Sequence, residues 1–136
     1  MNYTEYYPSA TFTAEAGRCE RMAQLVLSHA SAAHPLRILD IGCGTGKLIC
    51  RLAEALPMAR FVGLDISSKS IEEANGWLSQ SPFSERVEFL ALNYLEKPLG
   101  KFDLIVSDNV LHLIEGDDPK LSSKLSDELN PGGKLI

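Results

Sequence analysis

The sequence predicts an α/β domain built on a doubly wound, mostly parallel sheet. Three observations predict it. Short apolar runs of strand length alternate with segments of helical periodicity, and such alternation brings parallel strands together with helices on both faces. The first of these runs ends in Gly42-Cys-Gly-Thr-Gly46, a glycine-dense turn into a helix. The 136 residues, 45% apolar and 23% charged, suit one ordinary globular domain with its own core.

Residues 1–13 are aromatic-rich (Tyr3, Tyr6, Tyr7, Phe12) and follow no clean period. From Ala14 to Ala33, Cys19, Met22, Ala23, Val26, Ala30 and Ala33 recur at helical spacing, and Pro35 ends the helix. Arg37–Ile41 is a short apolar run, the mark of a buried strand. After Gly46, Leu48, Ile49, Leu52, Ala53 and Leu56 share one helical face, up to Pro57. Ala59–Leu64 is a second strand ending at Asp65, and Ser67 or Ser68 caps a helix whose inner face is Ile71, Ala74 and Leu78. Arg86–Leu92 and Phe102–Ser107 are the third and fourth strands. Asp118 and Pro119 open a helix carrying Leu121, Leu125 and Leu129, Asn130–Gly133 ends it, and Lys134–Ile136 starts a fifth strand.

Composition narrows the function classes. With 13 Lys+Arg against 18 Asp+Glu, the net charge of −5 disfavours nucleic acid and acidic membranes as partners. No apolar run reaches membrane-spanning length and no secretory h-region opens the chain. Three cysteines without a CxxC give neither a zinc ribbon nor a disulfide framework, so a reducing cytoplasm is the expected location and no metal site is expected.

In doubly wound sheets the ligand sits at the carboxyl ends of the strands, so the loop after the first strand decides the chemistry. A dinucleotide fingerprint requires G-x-G-x-x-G, but here Lys47 stands at the third glycine position; a P-loop requires Ser or Thr after its Lys, and Leu48 follows. Glycines at 42, 44 and 46 let backbone approach a ligand, the helix beyond points N–H groups at it, and Asp65 closes the neighbouring strand, where a carboxylate can accept both hydroxyls of a ribose.

Asp40-Ile-Gly-Cys-Gly-Thr-Gly46 resembles the first motif of the class I S-adenosylmethionine-dependent methyltransferases, whose fold is Rossmann-like. The resemblance continues in order through Gly63-Leu-Asp-Ile66, Val87–Asn93, Phe102–Ser107 and Leu129–Ile136, and so covers residues 37–136. It implies S-adenosylmethionine as cofactor and S-adenosylhomocysteine as product. It implies that Gly42, Cys43, Gly44 and Gly46 form the cofactor loop, and that Asp40 orients that loop and the cofactor's ammonium. Asp65 would take the ribose, Ile66 one adenine face, Asn93 the adenine amine, Tyr94 a further backbone contact, and Ser107 the methionine end. Asp108 would flank the reacting methyl, and His112 is the neutral-pH base candidate. The plainer roles are a helix cap for Asp108, a core-edge histidine for His112, turn residues for Asn93 and Tyr94, and a small packing residue for Cys43, although a helix N-terminus could lower its pKa.

The acceptor is narrowed by absences. Ser107-Asp-Asn-Val110 lacks the Pro-Pro-aromatic run of amino-directed DNA methyltransferases, no Pro-Cys is present, and Glu115 stands without a second glutamate. A small-molecule acceptor remains. A non-catalytic module that binds the cofactor or its product is the alternative. Residues 1–34 are expected to form an aromatic segment and helix that can act as a lid, and residues 35–136 the cofactor-binding core. The resembling family has a longer sheet, so the chain is expected to be a fragment truncated after the start of strand five, or to complete its sheet by self-association through the open edge.

Overall fold

The computed structural model describes residues 14–107 and 118–136, with side chains from residue 17 onward. The elements run α1 (Ala14–Leu27), β1 (Arg37–Ile41), α2 (Lys47–Ala55), β2 (Arg60–Asp65), α3 (Ser68–Leu78), β3 (Val87–Ala91), β4 (Phe102–Val106), α4 (Pro119–Glu128) and β5 (Leu129–Leu135). The strands form one parallel sheet in the order β3-β2-β1-β4-β5.

Strand alternation sorts the side chains onto two faces. Ile38, Phe61, Val87, Phe89, Leu104 and Val106 pack with α1, α2 and α3 in one core. Leu39, Ile41, Val62, Leu64 and Ile105 pack with Tyr94 and with Leu121 and Leu125 of α4 in the other. The same alternation puts Asp40 on the face of Ile38, at the carboxyl end of β1, where it is only 4% exposed. The order of pairing reverses direction at β1, which lies between β2 and β4.

Helix ends follow the sequence signals. The Ser67 hydroxyl accepts from the Ser70 N–H, and the Asp118 carboxylate accepts from the Lys120 N–H with Pro119 opening α4. At the end of α2 the cap is remote: the Arg86 guanidinium donates to the carbonyls of Ala53, Leu56 and Ala59 at 2.9, 3.0 and 2.8 Å.

Most boundaries fall within a residue of the sequence expectation, and two differ by several residues. The first helix ends at Leu27 and not at Ala33, because Ser28 Oγ donates to the Leu25 carbonyl and the following N–H groups turn back to carbonyls three residues earlier. Leu129 opens β5 and does not belong to α4; it pairs with Phe102, whereas Lys134 pairs with Leu104, so Asn130–Gly133 forms an irregularity within the strand and not a turn before it.

Candidate cofactor-binding site

The glycine loop is fastened to the end of β2 by the protein's own hydrogen bonds. The N–H groups of Gly42 and Cys43 both donate to the Leu64 carbonyl at 2.7 Å. The Gly44 N–H donates to Asp65 Oδ2 at 2.9 Å, while Asp65 Oδ1 accepts the Ser67 N–H at 2.8 Å. One carboxylate thus ties the loop to the cap of α3, and each oxygen keeps a second lone pair for another donor. From α3, Trp77 Nε1 donates to the Thr45 carbonyl at 2.8 Å.

The three loop glycines have positive φ but different surroundings. A Cβ on Gly44 would meet nothing within 4 Å, so its face is open. A Cβ on Gly46 would lie 2.6 Å from Phe89 Cζ and 2.9 Å from Trp77 Cζ2. Gly46 therefore lets core rings close against the loop, and it enters α2 in a left-handed conformation (φ 88°) with no side-chain cap on the helix.

Asp40, Gly42, Cys43 and Gly44 line one cleft of about 220 Å³. Its opposite wall comes from α1 through Arg18, Cys19 and Met22. These α1 residues were not among the sequence candidates. The helical spacing of Cys19 and Met22 was the available signal, but that spacing reads equally as core packing, and Arg18 carried none. The Cys43 thiol is pushed well above its ordinary value by burial and by the carboxylates of Asp40 and Asp65. The shift agrees with the plainer reading of Cys43 as a small packing residue, and not with the lowered pKa that a helix N-terminus could give. Burial likewise raises Cys19 to about 11, with help from Asp40.

The remaining candidates spread along the carboxyl edge of the sheet. Asp65 pairs with Ala91 and Asp40 with Val106, so the residues just past those strands, Asn93 and Ser107, flank the loop on either side. Ile66 directly follows β2 and is 78% exposed, an apolar side chain left in the open beside Asp65. Asn93 is exposed; its Oδ1 accepts the Leu95 N–H, and its N–H donates to Glu96 Oε1, so residues 93–96 form a self-capped turn. The Tyr94 side chain points away into the second core and is 2% exposed, which leaves only its backbone for the edge. Ser107 Oγ is buried with no hydrogen-bond partner among the described residues. Asp108 and His112 lie outside the described residues, as does the 1–13 segment expected to act as a lid. Among the described residues no cluster of His, Cys, Asp and Glu could hold a metal ion, and no helix is long and apolar enough to cross a membrane.

The donor set fits an adenosyl amino acid. An acceptor carboxylate stands at a fixed position for a ribose, an exposed apolar side chain lies next to it for a flat ring, an open glycine face lies alongside, and a buried carboxylate lines a cleft for a cation. A family profile described as a methyltransferase domain matches residues 34–136. The chain belongs to the class I S-adenosylmethionine-dependent methyltransferases.

The chain is similar to trans-aconitate 2-methyltransferase of Streptomyces avermitilis, 35% identical over 102 residues that cover 74% of this chain and 38% of that protein. It is also similar to release factor glutamine methyltransferase of Bradyrhizobium diazoefficiens, 37% identical over 103 residues, 76% of this chain and 34% of the relative. A further methyltransferase relative, from Salmonella choleraesuis, is named for small-subunit ribosomal RNA and is 30% identical over 119 residues, 83% of this chain and 34% of its own. Among solved structures, PKMT2 from Rickettsia typhi in complex with AdoHcy superposes with a TM-score of 0.66 at 33% identity, covering 74% of this chain and 20% of that one. The chain thus spans less than half the length of these relatives, and their names cover acceptors of different classes.

Proposed function

We propose that this chain is the cofactor-binding part of an enzyme that transfers a methyl group from S-adenosylmethionine to a small-molecule acceptor by in-line displacement. The observation that carries the reading is the Asp65 carboxylate, fixed by the Gly44 and Ser67 N–H groups next to exposed Ile66. When bound, the cofactor supplies a methyl activated on a sulfonium, so the protein's task is position, charge and exclusion of water. Asp65 would accept the ribose hydroxyls on its remaining lone pairs, and Ile66 would cover one face of the adenine. Asn93 Oδ1 would accept from the adenine amine on the lone pair not used by Leu95. Asp40 would favour the ammonium in the cleft, with Gly42, Cys43 and Gly44 close against the amino-acid chain. Ser107 would offer its buried hydroxyl to the methionine end.

The small-molecule acceptor is supported by the missing nucleic-acid and arginine-directed motifs, by the acidic balance, and by the likeness to a trans-aconitate methyltransferase. His112 is the base we assign for a hydroxyl or amine acceptor, with Asp108 beside the reacting methyl and the cytoplasm as the site of action. The test has two stages. Calorimetric titration with S-adenosylhomocysteine should give saturable binding, and no binding refutes the cofactor reading. Labelled methyl donor incubated with cell extract should then label the small-molecule fraction. Label in protein or RNA overturns the acceptor class, and binding without transfer by the full-length protein favours the non-catalytic module.

A further inference from the structure

The turn that carries Asn93 is held from the far side of the sheet. Tyr94 reaches into the second core, and Lys124 Nζ of α4 sits 3.8 Å from its ring centroid. The same ammonium lies 2.8 Å from Glu128 Oε1. Glu128 Oε2 accepts the Leu99 N–H at 2.7 Å, which fastens the other end of the same loop. The Tyr94 hydroxyl is buried near Glu128, short of regular hydrogen-bond geometry. Glu128 is 6% exposed and, with Asp40, is one of two buried charged residues among those described. Asp40 faces the cleft, whereas Glu128 lies on the opposite face of the sheet. A buried carboxylate is costly unless its partners are fixed, and here both partners belong to or touch residues 93–99.

We propose that Glu128 is a positioning residue for cofactor recognition: through Leu99, and through Lys124 on the Tyr94 ring, it sets the place of the Asn93 turn against the adenine. The proposal rests on the reading above that Asn93 meets the adenine amine. It assigns α4 a part in selecting the base, although no α4 residue reaches the cleft.

The test compares S-adenosylhomocysteine with its deaminated analogue, S-inosylhomocysteine, by calorimetry on the intact chain. Wild type should prefer the adenosyl compound. Glu128→Ala should bind it about tenfold more weakly, the size of one lost charge-assisted hydrogen bond, while binding of the inosyl compound changes little and the preference falls toward 1. Glu128→Gln keeps an acceptor for Leu99 but not the charge for Lys124, and should lie between. If Glu128→Ala does not fold, Glu128→Gln decides alone, with moderately faster exchange of the Leu99 amide, whose acceptor is now neutral and weaker, and unchanged protection of the Gly42 and Cys43 amides as its second readout. The proposal is overturned if the variants keep the wild-type preference, or if both ligands weaken in parallel, which is what a purely structural role would give. Wild type that binds without any preference instead overturns the Asn93 assignment, and the proposal with it.

Discussion

Gly44 and Gly46 are two residues apart in one loop, both with positive φ, yet alanine should affect them very differently. At Gly46 (φ 88°) the left-handed backbone costs an L residue about 1–2 kcal/mol. The added Cβ would also lie 2.6 Å from Phe89 Cζ and 2.9 Å from Trp77 Cζ2. Neither ring can retreat easily. Both are buried, they meet edge to face at 5.6 Å, and Trp77 is tethered through Nε1 to Thr45. Overpacking of this kind costs about 1–3 kcal/mol, so Gly46→Ala should lose about 2–5 kcal/mol in all. At Gly44 (φ 56°) nothing lies within 4 Å, leaving only the backbone cost of about 1–2 kcal/mol. Urea unfolding followed by Trp77 fluorescence measures both, provided the slopes match wild type so that midpoints report stability. Calorimetry should show the reverse ranking for the cofactor product. Gly44→Ala puts a methyl on the open face and should weaken S-adenosylhomocysteine about tenfold or more. Equal destabilisation by the two substitutions, within about 0.5 kcal/mol, would refute the division of labour between a packing glycine and a ligand-facing one.

Other perturbations have defined outcomes. Asp65→Asn is not conservative, because its amide must turn an N–H toward either Gly44 or Ser67; it should cost about 1–3 kcal/mol by thermal unfolding and abolish measurable cofactor binding. Ile66→Ser should leave stability within about 0.5 kcal/mol, since the side chain is 78% exposed, yet weaken S-adenosylhomocysteine about tenfold by calorimetry. Arg86→Met strips three carbonyls around the end of α2 of their donor and should cost about 2–4 kcal/mol in urea, and Arg86→Lys, which cannot fork, should recover less than half. Burial alone would raise Glu128, but the Lys124 ammonium and the Leu99 N–H together hold it below the ordinary carboxylate value of 4.5. Its contribution is therefore full above that value and lost as pH falls through the lower folded one. The acid limb of a melting-temperature profile should be shallower in Glu128→Gln; an unchanged limb would count against the assignment.

Much of this architecture is legible in the residues because each strong signal is local. Ser67, Asp118 and Pro119 mark helix starts by their own chemistry, and the apolar runs of β1 and β4 leave little choice but a buried parallel strand. The loop from Gly42 to Gly46 announces a close-approaching ligand, and its spacing separates it from nucleotide loops. What escaped the sequence depends on partners far along the chain. Nothing near Arg86 says that it caps a helix ending some thirty residues earlier, and nothing near Glu128 says that it holds the loop at Leu99. Gly46 looks like its two neighbours until Phe89 and Trp77 are placed against it. Cys19 and Met22 lie on a helix face that reads as core until the cleft shows what that face meets, and nothing near Arg18 sets it apart from an ordinary surface charge.

The central position of β1 also sets an order of assembly. Residues 14–91 hold α1–α3 and β1–β3, so one half of the sheet and one helical layer can close as soon as they leave the ribosome. The other edge of β1 must wait. Its pairing with β4, and the bond from the Arg37 N–H to the Asp103 carboxylate across 66 positions, close a long loop late. Until then the apolar faces of Leu39 and Ile41 lie beside a bare ladder, in the stretch that leads into the glycine loop. The strand at the centre of the sheet is thus also the one whose open edge a nascent chain must shield longest.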